Sequence, residues 1–194
     1  MNFGIPRELR EREKRVGLGP SGAQDLARAG HRVYLESGAG LGAGFPDTDY
    51  QKVGTEVVFT PEEAWGRADV ILKVAPPLPA EHGFLREGHV VLAFMHLVVA
   101  PTGLIRAFEE RGITAIAMEG IEDEDGSLPV LTPMSEVAGR MAPIIAAQYS
   151  QSSHGGLGIV LSGVPGVPPA HVVILGGGVV GQNAARSALG LGAQ

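Results

Sequence analysis

Six short runs of β-branched and other apolar residues recur along this chain, each separated from the next by a stretch with helical signals. That alternation restricts the fold more than any other feature. The runs are Asn2 to Ile5, Arg32 to Glu36, Glu56 to Phe59, Asp69 to Lys73, Val90 to Phe94 and Thr114 to Met118. Strands that alternate with helices build a parallel sheet, because parallel neighbours need a long crossover and cannot be joined by a tight hairpin. The expected class is α/β. Ser21 is placed to cap a helix ending near Gly30, Thr60 precedes Pro61 in the order of a helix start, and Pro101 to Arg111 runs up to Gly112.

Beyond the acidic turn Glu122 to Gly126, a longer helical pattern begins near Pro133, with Met134, Val137, Ala138, Met141 and Ile145 on one stripe. Pro143 inside it is expected to kink or break that helix. A Gly- and Pro-rich stretch follows, QSSHGGLGIVLSGVPGVPPA, and a second sheet is expected to begin at His171. These signals put a domain boundary near residue 130: a first domain over 1–130, then a linking helix and the first βα unit of another domain over 131–194.

In VVILGGGVVGQNAARSALG an apolar strand runs straight into Gly176, Gly178 and Gly181 and then into an alanine-rich helix. Each glycine has a physical task in dinucleotide binding. Gly176 makes the tight turn, Gly178 lets the backbone approach a pyrophosphate, and Gly181 lets the helix lie close on its strand. The helix amino terminus then offers unpaired N–H groups and partial positive charge to the phosphates. A tight turn alone would also use glycines, but strand, spacing and helix together point to a dinucleotide. The absent Lys-Ser/Thr pair excludes an ordinary P-loop. The acidic side chain that grips the ribose is expected about 20 residues onward, past Gln194. The stretch is therefore read as the truncated start of a Rossmann domain, and the 194 residues alone are expected to hold NAD weakly.

A formal charge of −6 offers no basic stripe to displace phosphate counterions, which argues against nucleic acid as a partner. No cysteine is present, so disulfides, thiolate nucleophiles and sulfur-held zinc are excluded. The amino terminus lacks an apolar signal region, and the most apolar stretch, Val90 to Ala100, is too short to span a bilayer. A cytoplasmic protein with no membrane partner is expected. The histidines show no HExxH or comparable spacing, so no metal site is expected. Glu122 to Asp125 read as a solvated loop rather than an acid/base pair.

Parallel sheets bind ligands beyond the carboxyl ends of their strands, and three residues are candidates for that edge. Arg15 can form two parallel hydrogen bonds with a carboxylate, or end a solvated charge run. His96, two residues past VVLAF, can exchange protons near neutral pH, or be a hydrogen-bonded core residue. Lys73 can reach a ligand, or snorkel from its strand end. Ser135, read by itself, caps the helix that follows it.

GIPRE with Arg15-Val16 downstream, ESGAGLGAGFPDTDY, FMHL around His96, PMSEVAGRMA around Ser135, and GGVPGVPPAHVVILGGGVVG together resemble alanine dehydrogenase in nearly the whole chain, in the order of that family. The resemblance implies a parallel-sheet substrate domain followed by an incomplete Rossmann domain. It also implies reversible NAD-dependent oxidative deamination of L-alanine to pyruvate and ammonia, in a cytoplasmic homo-oligomer, commonly a hexamer. By the family pattern Arg15 binds the substrate carboxylate, His96 handles protons, Ser135 lies by the cofactor, and Arg15 and His96 converge on one small acid. A departure accompanies this. The family pattern KVKEP, whose second lysine contacts substrate, reads KVAPP here, with Ala75 in that lysine's place. Residues two apart on a strand face one side, about 6 to 7 Å apart, so Lys73 is a candidate substitute. Ala75 keeps a non-catalytic nucleotide- or amino-acid-binding relative in view, beside a transhydrogenase alpha-type subunit of the same architecture. The FMHL and SEVAGR stretches favour the dehydrogenase.

Overall fold

The computed structural model describes residues 1–194, which divide into two compact units, Met1–Glu119 and Gly120–Gln194. All six runs expected to be strands are strands in the first unit: β1 (Asn2–Ile5), β2 (Arg32–Glu36), β3 (Glu56–Val58), β4 (Val70–Leu72), β5 (Val90–Ala93) and β6 (Thr114–Ala117). They form one sheet in the order β3-β2-β1-β4-β5-β6, and every pairing is parallel. Four helices cross between them: α1 (Pro20–Arg28), α2 (Asp47–Gln51), α3 (Pro61–Gly66) and α4 (Thr102–Arg111).

The strands read as nearly continuous apolar runs because both faces of the sheet are covered. In β4, Val70 and Leu72 join a core with Ile5, Val33, Leu35 and Tyr50. Between them Ile71 points the other way, into a core with Trp65, Val91, Met95 and Phe108. Local signals place the helices. Thr60 caps α3, its hydroxyl accepting the Glu63 N–H at 3.3 Å, and Gly112 ends α4 in the left-handed region at φ 61°. Ser21 does not cap α1, because Gly19 holds that position and Pro20 already starts the helix.

The strand order reverses direction between β1 and β4, which are adjacent although separated by β2 and β3 in sequence. At such a switch the connections on the two sides leave toward opposite faces, so a crevice opens beyond the carboxyl ends.

The second unit is built on α5 (Thr132–Tyr149) and α6 (Val179–Gly190). Pro143 does not break α5, which continues on both sides of it. Its buried ring sits one turn after Gly139, where the helices touch: a Cβ at Gly139 would lie 2.3 Å from the Val180 carbonyl oxygen. The expected strand from His171 has no ladder, and Val173 and Leu175 are exposed. A strand needs a partner for its backbone groups, and Gln194 alone supplies one, its N–H donating to Ala170 O and its carbonyl accepting the Val172 N–H. These two bonds follow the parallel pattern, with α6 as the crossover. No helix is long and apolar enough to cross a membrane.

Candidate functional site

The segment after β1 is held against the end of β4 by a close approach at Gly17, where a Cβ would lie 2.2 Å from the Leu72 carbonyl oxygen. This brings Arg15 to the carboxyl edge of the sheet. Glu13 grips its guanidinium side-on, Oε1 accepting from Nε at 2.8 Å and Oε2 from Nη2 at 2.7 Å. The Arg15 backbone N–H donates to the same carboxylate. That hydrogen-bonded pair holds the Glu13 carboxyl below the usual carboxylate range and raises the Arg15 pKa. Glu13 is buried while Arg15 stays half exposed.

Lys73 follows β4 and is only 1% exposed. Its Nζ lies 3.1 Å from Glu8 Oε2 and 2.9 Å from Glu81 Oε1, both carboxylates being buried as well. The lysine therefore neither snorkels nor reaches into an open cavity. Each carboxylate also fixes backbone: Glu8 accepts the Val74 N–H at 2.6 Å and Glu81 the Leu78 N–H at 2.8 Å. The triad thereby ties the segment after β1 to the loop that carries Ala75.

His96 follows β5 in the left-handed region, at φ 47°, which an L residue adopts at a cost in strain unless its surroundings fix it. Glu119 does so. Its two oxygens accept the His96 N–H at 2.6 Å and the Met95 N–H at 3.0 Å. Burial opposes the Glu119 charge, but the N–H groups of Glu119, His96 and Met95 outweigh it, and the carboxyl sits below its ordinary pKa. The imidazole stays exposed, with Nδ1 3.9 Å from Glu119 Oε1.

Arg15 and His96 thus occupy one sheet edge but line different cavities. Arg15 lines a space of about 150 Å³ with Glu8, Glu13 and Gly42. His96 lines another of about 380 Å³ with Ala75, His82, Met95 and Leu104. Glu8 stands at the divide, lining the first and lying within 3.4 Å of the N–H of Ala75, which lines the second. Sequence reasoning missed Glu8, Glu13, Glu119 and His82. The first two lie in the charge run RELREREKR, where only their burial sets them apart.

In the second unit, Ser135 shares a cavity of about 550 Å³ with Gly176, Gly178 and Gly181. It does not cap α5, which begins three residues earlier at Thr132. Gly176 is left-handed at φ 101° and Gly178 caps the amino end of α6. A Cβ at Gly181 would lie 2.0 Å from the Gly176 carbonyl oxygen, whereas the space beside Gly176, Gly177 and Gly178 is open. The turn is packed where the helix meets the segment before it and bare where a phosphate would approach. It fits a pyrophosphate on the first N–H groups of α6. No cluster of three or more acidic or histidine side chains that could hold a metal ion occurs.

Residues 4–138 match the N-terminal domain of alanine dehydrogenase/PNT, and residues 142–194 match the C-terminal domain of the same family. The chain belongs to the alanine dehydrogenase/PNT family. The alanine dehydrogenase of Bacillus subtilis (strain 168) is 48% identical over 193 residues, covering all of this chain and 50% of that protein. That of Methanococcus maripaludis is 45% identical over 194 residues, covering 52% of its length. This member of the family therefore spans about half the length of the curated relatives it matches. A solved L-alanine dehydrogenase superposes over the whole chain with a TM-score of 0.91 at 46% identity, this chain covering 53% of it. A solved transhydrogenase from Sinorhizobium meliloti gives 0.81 at 33% identity, with 55% of that chain covered.

Proposed function

We propose that this chain supplies the substrate-binding and first nucleotide-binding elements of an NAD-dependent alanine dehydrogenase, which interconverts L-alanine with pyruvate and ammonia. The observation that carries the reading is the placement of Arg15 and His96 on the carboxyl edge of one parallel sheet, either side of its switch point. Greater identity to alanine dehydrogenases than to the transhydrogenase supports it against the transhydrogenase alternative.

Arg15 anchors the carboxylate of alanine. Glu13 holds the guanidinium side-on and so fixes the plane in which further N–H groups meet the ligand. His96 takes a proton from the water that attacks the imine and returns it to the nitrogen that leaves as the carbinolamine collapses to pyruvate and ammonia. Glu119 acts on the backbone beneath it, so the ring keeps its direction while remaining exposed to solvent and substrate. Ser135 and the glycine turn hold the cofactor, the pyrophosphate lying at the amino end of α6. NAD, when bound, accepts the hydride from the α-carbon. A cytoplasmic homo-oligomer completes the proposal, supported by the absence of cysteine and by exposed Val137, Met141, Ile144 and Ile145 on α5.

One observation favours a second reading, a relative that binds without catalysing. Ala75 offers no ammonium beside His96, and Lys73 is enclosed by its two carboxylates. A chimera decides between them, with this chain replacing the matching half of the Bacillus subtilis alanine dehydrogenase. The enzyme reading expects alanine-dependent NAD reduction that His96→Ala abolishes. A folded chimera that binds NAD yet reduces none with alanine would establish the second reading.

A further inference from the structure

The glycine turn before α6 has no packing to hold it. A Cβ at Gly176, Gly177 or Gly178 would meet nothing within 4 Å, and all three residues are exposed. Glycine loses more conformational freedom on ordering than any other residue, so a ligand that had to order this run would bind more weakly for it. Hydrogen bonds from one residue fix the turn instead. The Gly178 carbonyl accepts the main-chain N–H of Gln182 at 2.9 Å, whereas the Gly177 carbonyl, one residue further from the helix, accepts no backbone N–H. Its partner is the Gln182 side-chain amide, Nε2 donating at 2.8 Å. The N–H groups of Gly178, Val179 and Val180 donate to nothing in the chain. With two successive carbonyls of the turn engaged by Gln182, those three donors remain for an anion.

The Gln182 side chain has no other structural use. It is exposed, belongs to no core cluster and does not line the cavity beside the turn. Its neighbour Asn183 shows the contrast: 5% exposed, it donates to Val179 O at 2.9 Å and accepts from Arg140 Nε at 3.2 Å, which ties α6 to α5. We propose that Gln182 is a positioning residue for the dinucleotide, its amide holding the Gly177 carbonyl so that the turn is ordered before a pyrophosphate arrives. The proposal rests on the dinucleotide reading of this turn. It requires no contact between Gln182 and the ligand.

The test compares the 194-residue chain with Gln182→Met, which keeps the length and helix propensity of an exposed side chain and removes its donor. Backbone order parameters of Gly177 and Gly178, read by nitrogen-15 relaxation, are expected near about 0.85 in the parent and below about 0.6 in the variant. ADP is then titrated into each and followed through the amide resonances of Gly178, Val179 and Val180. The variant is expected to bind ADP about threefold to tenfold more weakly, the worth of one hydrogen bond. Adenosine, which has no phosphate, moves those amides in neither chain. The proposal is overturned if Gln182→Met keeps the parent's order parameters, or if the glycines loosen while ADP affinity stays the same. Affinity lost with order retained overturns it too, by making Gln182 a direct ligand contact. If ADP does not move the α6 amides of the parent, or adenosine moves them as far, the dinucleotide reading itself falls and takes the proposal with it. That failure shows in the parent, not in the variant.

Discussion

Replacing Lys73 by methionine is the sharpest test of how the sheet edge is built. The two side chains are similar in length, so the substitution mainly removes an ammonium that is 1% exposed and lies within 3.1 Å of two buried carboxylates. What remains is Glu8 and Glu81 facing each other without a counter-charge, each retaining a backbone donor. Breaking a buried ion pair by removing one partner costs about 3–5 kcal/mol, a large part of the roughly 5–15 kcal/mol that stabilises a typical domain. Urea unfolding followed by circular dichroism should show the midpoint falling accordingly at unchanged slope. Adding Glu8→Gln and Glu81→Gln to the same chain should recover at least about half of the loss, because neutral amide oxygens still accept from Val74 and Leu78. The exposed Arg28–Asp25 pair is the control, and Arg28→Met should change stability by under about 0.5 kcal/mol. A loss below about 1 kcal/mol in Lys73→Met, the range of solvent-exposed pairs, would refute the assignment of the triad as the fastener of this edge.

Other perturbations follow from the same contacts. His89 is buried with Arg86 against it, and burial first and the Arg86 charge second lower its pKa. The unfolded chain therefore binds the proton more readily, and stability present above about pH 6.5 should decline as pH falls toward the folded value; urea midpoints should trace that decline and His89→Gln should flatten it. Gly181→Ala forces a Cβ to within 2.0 Å of the Gly176 carbonyl, so NAD binding by the chimera, measured by calorimetry, should fall together with about 1–3 kcal/mol of stability. Glu119→Ala frees the His96 backbone, and chimera turnover should fall about tenfold to a hundredfold with the fold intact by circular dichroism. Thr60→Ala removes the α3 cap and should lower the urea midpoint by the equivalent of about 1 kcal/mol.

The first unit was largely legible because its central strands are buried on both faces and therefore read as apolar runs, trimmed in the structure only at their ends. Proline and glycine signals likewise placed α3 and the end of α4. What sequence could not reveal was pairing over distance. Lys73 at a strand end has the look of a snorkelling residue, and its partners Glu8 and Glu81 sit in polar stretches that ordinarily face water. Glu13 escaped notice for the same reason, since a mixed charge run gives no sign of which member turns inward. Ser135 reads as a cap because Pro133 marks the start of α5 only approximately, whereas Thr132 already lies inside the helix. The stretch from His171 has the composition of a strand, yet a ladder depends on a neighbour, and only Gln194 lies alongside. The divide between the Arg15 and His96 cavities rests on the Glu8 carboxylate, whose course no local pattern specifies.

The most direct measurement is the KM for L-alanine in the Bacillus subtilis chimera, compared with its Arg15→Met form. If Arg15 receives the carboxylate of alanine, losing a charged two-bond contact raises KM about a hundredfold while NAD affinity stays unchanged. An Arg15→Met chimera with the alanine KM of its parent would contradict the account, since the edge of the sheet would then hold the substrate by some other group.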